Sequence, residues 1–164
     1  MIARVIDRIA AALMILACLT AVLMLLHICA DVLCKYVFNM PIDGTLETVS
    51  GWYMVAVVFG SMAYVEVKDG HISVDLFTRH IPAKRLSVLR CLTYLLSVGY
   101  LGLMTWVTAA EAIRRTANDE VWETVNGFLP IWPSRWLVPI GMASLAAVFL
   151  LKAVRGIPAI RGRA

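Results

Sequence analysis

Four cysteines and three histidines are the side chains in this chain best suited to redox or metal chemistry, and their spacing supports neither. Cys18, Cys29, Cys34 and Cys91 form no C-x-x-C pair and do not cluster with histidine, so they read as small apolar fillers. A disulfide-oxidising membrane enzyme needs paired cysteines at the outer surface, where only Cys34 falls. His27 is the one ionisable side chain inside an apolar run, near its outer end, and is expected to be neutral and locally hydrogen-bonded. His71 and His80 lie in a connecting segment on the opposite side of the apolar layer, which disfavours a haem held by two histidines. No catalytic residue, cofactor or metal site is expected, and the chain does not read as an enzyme. The remaining candidates are charges: Lys35 and Glu47, of opposite sign at facing ends of two apolar runs, which read either as part of a polar cluster near the outer interface or as two solvated head groups, and the acidic group Asp119, Glu120 and Glu123.

The elements that would position these residues follow from composition. The chain has 164 residues, 61% hydrophobic and 16% charged, with a mean hydropathy of +0.81. Lipid must be the solvent for most of it, and too few residues remain for a separate catalytic domain. Four runs without charge lie at 9–30, 48–65, 91–110 and 136–151. The first is too long for a signal peptide and matches a hydrocarbon core of about 30 Å. Its helix is expected to stop by Phe38, before Pro41. Asp43 and Gly44 are candidate caps of the second span, Gly70 suits its end, and the absence of proline from Ala83 to Leu129 predicts a third helix that overruns the bilayer. The expectation is one all-α integral membrane domain, residues 1–164, with four transmembrane helices.

Eleven of fifteen basic residues fall in the N-terminus, the 66–90 loop and the C-terminal tail, giving that side a net charge of +7 against −3 on the other. The basic side is cytoplasmic by the positive-inside rule, so both termini are expected there. The excess reads as topology and lipid contact, not nucleic-acid binding. In the inner loop, Val74, Phe77 and Ile81 recur at helical spacing and suit a segment lying on the inner leaflet.

No Asp, Glu, Lys or Arg lies inside the four runs, whereas ion pathways and substrate channels ordinarily need ionisable groups at depth. A transport site is therefore expected in a partner. Small residues at Ala17/Ala21, Ala56/Gly60 and Gly99/Gly102 permit close helix approach, and the tryptophans fall mostly towards span ends as an interfacial belt. These features leave open a cytochrome-like electron-transfer subunit and a free-standing small exporter.

Read in order, Lys35-Tyr36-Val37-Phe38-Asn39, Glu47, Gly60 to His71-Ile72-Ser73-Val74-Asp75, and Ile81-Pro82 resemble the small, Q-type membrane subunit of the tripartite ATP-independent periplasmic (TRAP) transporters. Leu129-Pro130-Ile131-Trp132-Pro133 and Val138-Pro139-Ile140-Gly141 are similar to that family's proline-and-tryptophan entry into the final span. The resemblance singles out Lys35, Glu47, Gly60, His71, Asp75, Trp132, Pro139 and Gly141. Lys35 stands where the family often has arginine, and Asp43-Gly44-Thr45 where a tryptophan is common.

What the resemblance implies is an inner-membrane importer driven by an ion gradient. Its parts would be a periplasmic solute-binding protein, a large membrane subunit holding substrate and sodium sites, and this small subunit. The small subunit would widen the large one's fixed scaffold, and substrates would be organic acids. The acidic group Asp119, Glu120 and Glu123 reads either as a solvated acidic turn or as a dock for that binding protein through complementary charge.

The orientation has a direct test. A cysteine placed at Asn118 in a cysteine-free background is expected to react with an impermeant maleimide in intact spheroplasts; labelling only after lysis would reverse the topology.

Overall fold

A computed structural model gives the fold and describes residues 2–68, 70, 82–124 and 127–161. Four helices dominate it: α1 (Ile2–Phe38), α2 (Thr45–Val67), α3 (Ala83–Ala117) and α4 (Leu137–Arg161). Between α3 and α4 lie strands β1 (Val121–Glu123) and β2 (Phe128–Pro130), paired antiparallel with Trp122 opposite Leu129, and a 3-10 turn at Ser134–Trp136. Each uncharged run falls inside one helical segment long and apolar enough to cross a membrane, so the chain is an all-α, four-span, multi-pass membrane protein. The hairpin was not expected from the sequence.

The helix ends have local causes. Pro41 excludes helix just before it, and α1 stops at Phe38 with Asn39 in a left-handed conformation (φ 52°). Gly44, also left-handed (φ 73°), precedes α2 as its N-cap, while Thr45 Oγ1 donates to the Ile42 carbonyl at 3.0 Å. α1 and α3, of 37 and 35 residues, are about 55 and 52 Å long and overrun the hydrocarbon core. Pro139, the third residue of α4, sits where a helix leaves backbone N–H groups without partners. With inner and outer named by the orientation expected from the basic residues, α2 closes at its inner end with the Gly70 amide donating to the Val65 carbonyl at 2.8 Å.

The helices form an open row in the order α1, α2, α4, α3. α4 packs on both α3 and α2, α2 packs on α1, and α1 meets α4 only lightly. A third (33%) of the most apolar window of α4 is buried, and none of α3's. Six of the nine buried hydrophobic residues among those described are alanines. Association in lipid gains little from burying apolar area and depends on van der Waals contact between closely approaching backbones. Gly141 provides the closest approach: a Cβ there would lie 2.7 Å from Phe59 Cβ and 2.9 Å from its carbonyl carbon. On the adjoining residue of α2, a Cβ at Gly60 would meet the Leu13 carbonyl at 3.1 Å and Ala17 Cβ at 3.2 Å. Towards the inner end, Ala10, Ala63 and Val148 join the three helices, flanked by Ile6, Tyr64 and Val67.

Ala17 and Ala56 are buried as their spacing suggests, but Gly99 and Gly102 are not used this way. A Cβ at either would meet nothing within 4 Å, because α3 is the end of the row and they face outward. The inner-loop segment with Val74, Phe77 and Ile81 lies outside the described residues.

The glycines therefore separate into two classes. Gly141→Ala is expected to lose about 1–3 kcal/mol of stability by overpacking, whereas Gly99→Ala, with open space around it, should be neutral or gain about 0.5–1 kcal/mol. Thermal unfolding of the isolated chain in detergent measures both; equal stability of the two variants would deny the α2–α4 approach.

Candidate functional site

The outer end of the row is organised around Glu120. α3 finishes in a Schellman turn with Asp119 left-handed (φ 45°), its amide donating to the Thr116 carbonyl at 3.3 Å and the Glu120 amide to the Arg115 carbonyl at 3.1 Å. The side-chain contact that usually accompanies this turn is apolar; here Arg115 Nη1 meets Glu120 Oε1 at 3.3 Å. Arg135, in the 3-10 turn, grips the same carboxylate as a fork, Nε to Oε2 at 3.1 Å and Nη2 to Oε1 at 2.8 Å. The Glu120 carbonyl accepts the Ile131 amide at 3.0 Å, tying the hairpin's exit to its entry. The side chain keeps only 12% of its exposure. Hydrogen bonding from Arg135, together with the charges of Arg135 and Arg115, holds its carboxyl below the ordinary range despite partial burial. Glu111 extends the chain of charges, bonded to Arg114 and Arg115 at 2.6 Å each.

The hairpin sits on a local widening of α2. Residues Val49–Tyr53 form one π-helical turn containing Gly51, where a Cβ would lie 2.7 Å from Ile131 Cδ1 and 3.3 Å from Trp122 Cζ3. Glycine there lets Ile131, 1% exposed, plug the space between the spans. Trp52 Nε1 donates to the Pro130 carbonyl at 3.1 Å, and Trp136 Nε1 to Thr116 Oγ1 at 3.0 Å. These two indoles are structural ties as well as residents of the span ends. Thr124 Oγ1 donates to Asp43 Oδ2 at 3.2 Å, and the Ile42 amide to Asp31 Oδ1 at 2.7 Å, so the outer loops are bound to each other and to α1.

The residues singled out from sequence divide accordingly. Gly60 and Gly141 make the helix contacts, Pro139 is buried at the start of α4, and Trp132 is half-buried beside the Glu120 hub. Lys35 and Glu47 are not brought together. Lys35 is exposed on the last turn of α1, Glu47 is half-buried in the first turn of α2, and no ion pair links them among the described residues. Exposed ions gain too little from pairing to overcome the packing that directs each. Glu120 is engaged inward, so of the acidic group only Asp119 and Glu123 are exposed. His71 and Asp75 lie outside the described residues. His27 Nδ1 lies 3.2 Å from the Tyr53 hydroxyl, the rings edge-on with centroids 5.8 Å apart, which is the local hydrogen bond expected of it.

Sequence reasoning missed the inner-end partner of this arrangement. Lys152 Nζ, on α4, donates to Glu66 Oε1 at 2.5 Å and to the Glu66 carbonyl at 2.6 Å, with side-chain exposures of 20% and 8%. The available signal was that both charges end their apolar runs on the same side with opposite sign. Asn126-Gly127 was likewise a legible hairpin signal between Val121-Trp122-Glu123 and Phe128-Leu129-Pro130.

Glu120→Gln is expected to cost about 1–3 kcal/mol at neutral pH by leaving Arg135 with a weaker partner. Because the folded carboxyl titrates below its unfolded value of about 4.3, the stability it confers is present above that value. The gap between wild type and variant should close as pH falls from there through the lower folded pKa. Melting temperatures measured across that range check it, and a gap independent of pH would exclude the charged clasp.

The family model described as the DctQ component of the tripartite ATP-independent periplasmic transporters matches residues 24–159, from the outer half of α1 into the last turns of α4. No curated protein and no solved structure matches the chain. The matched stretch takes in the outer part of α1, all of α2 and α3, the hairpin with its Glu120 clasp, and the Gly141 contact. On this match over most of its length, the chain belongs to the DctQ component family of the tripartite ATP-independent periplasmic transporters.

Proposed function

We propose that this chain is the small permease subunit of a TRAP-type secondary transporter in a bacterial inner membrane, with both termini cytoplasmic. In this reading it braces a large membrane subunit that carries the substrate and sodium sites, and it serves symport of an organic acid delivered by a periplasmic binding protein. The observation that carries the reading is the family match across residues 24–159. Two features of the chain support a bracing role. The four runs are free of ionisable groups at depth except for His27, which is engaged with Tyr53. The charges at the ends of the helices are turned to internal clasps, Glu120 with Arg135 and Glu66 with Lys152. Asp119 and Glu123, exposed on the outer face, supply negative charge for steering the binding protein towards the membrane subunits.

Proteoliposomes containing this chain, the large subunit or both, supplied with binding protein and a sodium gradient, test the reading. Uptake is expected only when both membrane subunits are present, with a rate that falls as added salt screens Asp119 and Glu123. Uptake by this chain alone would overturn the bracing role, and full uptake by the large subunit alone would show this chain to be dispensable.

A further inference from the structure

The hydroxyls of α3 fall into two groups. Thr93, Thr105 and Thr108 return theirs to the carbonyl four residues earlier, at 3.0, 2.7 and 2.7 Å, the ordinary solution for a hydroxyl in hydrocarbon. Ser97 and Tyr100 have no hydrogen-bond partner among the described residues. Tyr100 is tenth of the twenty uncharged residues from Cys91 to Ala110, about 15 Å of helix from either edge, and it is 62% exposed. Tyrosine normally sits at the headgroup level, where its hydroxyl meets water. From this depth it reaches neither surface.

Both hydroxyls line one groove. It lies between α3 and α4, has a volume of about 520 Å³, and is walled by Leu96, Ser97, Tyr100, Leu101, Leu145 and Phe149. Phe149 meets Tyr94 with ring centroids 5.8 Å apart. An acyl chain would fill such a groove but offers no hydrogen-bonding group, leaving both hydroxyls desolvated and unpartnered. A backbone at mid-membrane depth satisfies its own polar groups by being helical. An occupant able to answer Ser97 and Tyr100 is therefore a transmembrane helix with a polar side chain at that level.

We propose that the α3–α4 groove seats a transmembrane helix of the large partner subunit, which presents a hydrogen-bonding side chain to Ser97 and Tyr100 at the middle of the membrane. This rests on the reading above that the chain works beside such a subunit. It makes α3, at the open end of the row, the helix that continues the packing into the partner. The opposite end, α1, is left to lipid.

The test uses the complete transporter in cells, with the photo-reactive p-benzoylphenylalanine placed at position 100 and, as a control, at Leu19, which is 59% exposed midway along α1's apolar run. Illumination is expected to cross-link position 100, and not position 19, to the large subunit. An adduct between two copies of this chain, or lipid adducts alone at position 100, would overturn the proposal. So would capture of the large subunit from position 19 instead, an outcome that leaves the partnership itself intact. Failure of the large subunit to co-purify with the unmodified chain would remove the partnership and the groove assignment together. Combined Ser97→Ala and Tyr100→Phe substitution should lower retention of the large subunit about sevenfold, as expected for two interhelical hydrogen bonds in a bilayer. Unfolding of the isolated chain should be unchanged. Full retention would show that the two hydroxyls do not hold the partner.

Discussion

The contact on which the rest of the molecule depends is that of Gly141 in α4 against the backbone of Phe59 in α2. Lipid gives helices no reason to associate by hiding apolar area, so a row of four holds together only where backbones come close enough for dense van der Waals contact. Phe59 and Gly60 are neighbours in sequence, and they face α4 and α1 respectively. Two consecutive residues of α2 thus set its distance to both of its neighbours. Once α4 is placed, its far side is free to take α3, and the row is complete without α1 and α3 packing on each other.

Polar groups act at the ends of the row. Glu120 gathers the end of α3, the hairpin and the entry to α4, and Glu66 with Lys152 joins α2 to α4 at the other end. Such pairs add little to stability compared with apolar substitutes, but an ion left without its partner in so dry a place is costly. They therefore fix register more than they add cohesion: α2 cannot slide along α4 by a turn without stranding a charge. Between the two ends the buried hydrophobic residues are mostly alanines, joined by the larger side chains of the Tyr94–Phe149 and His27–Tyr53 contacts.

The spans were legible in the sequence because length and apolarity alone define a helix that crosses a bilayer. The stop at Phe38 was equally legible, since Pro41 acts locally. Gly60 and Gly141 could be picked out by family resemblance, yet nothing in the chain itself distinguished them from Gly99 and Gly102, which look alike in sequence and face open space. That distinction depends on which helices are neighbours, and the order α1, α2, α4, α3 is a tertiary fact. Lys35 and Glu47 form no pair although their helices are neighbours, because exposed ions gain little from meeting, while Glu66 and Lys152, 86 residues apart, pair where α2 packs on α4. The hairpin was missed because an apolar-span reading treats everything between spans as loop, although Asn-Gly is a hairpin signal in the sequence at 126–127.

The central position of α4 has a consequence for biogenesis. In the order of synthesis, α3 leaves the ribosome before the helix against which it packs, and α2 precedes the same helix by the whole length of α3 and its flanking segments. Only α1 and α2 can pair as they emerge. α3 must wait in the bilayer, or beside the insertion machinery, as an unaccompanied helix whose apolar surface is wholly open. The late arrival of α4 then draws two waiting elements together in one step, so a chain cut short before α4 loses the organiser of the bundle and not merely its fourth part.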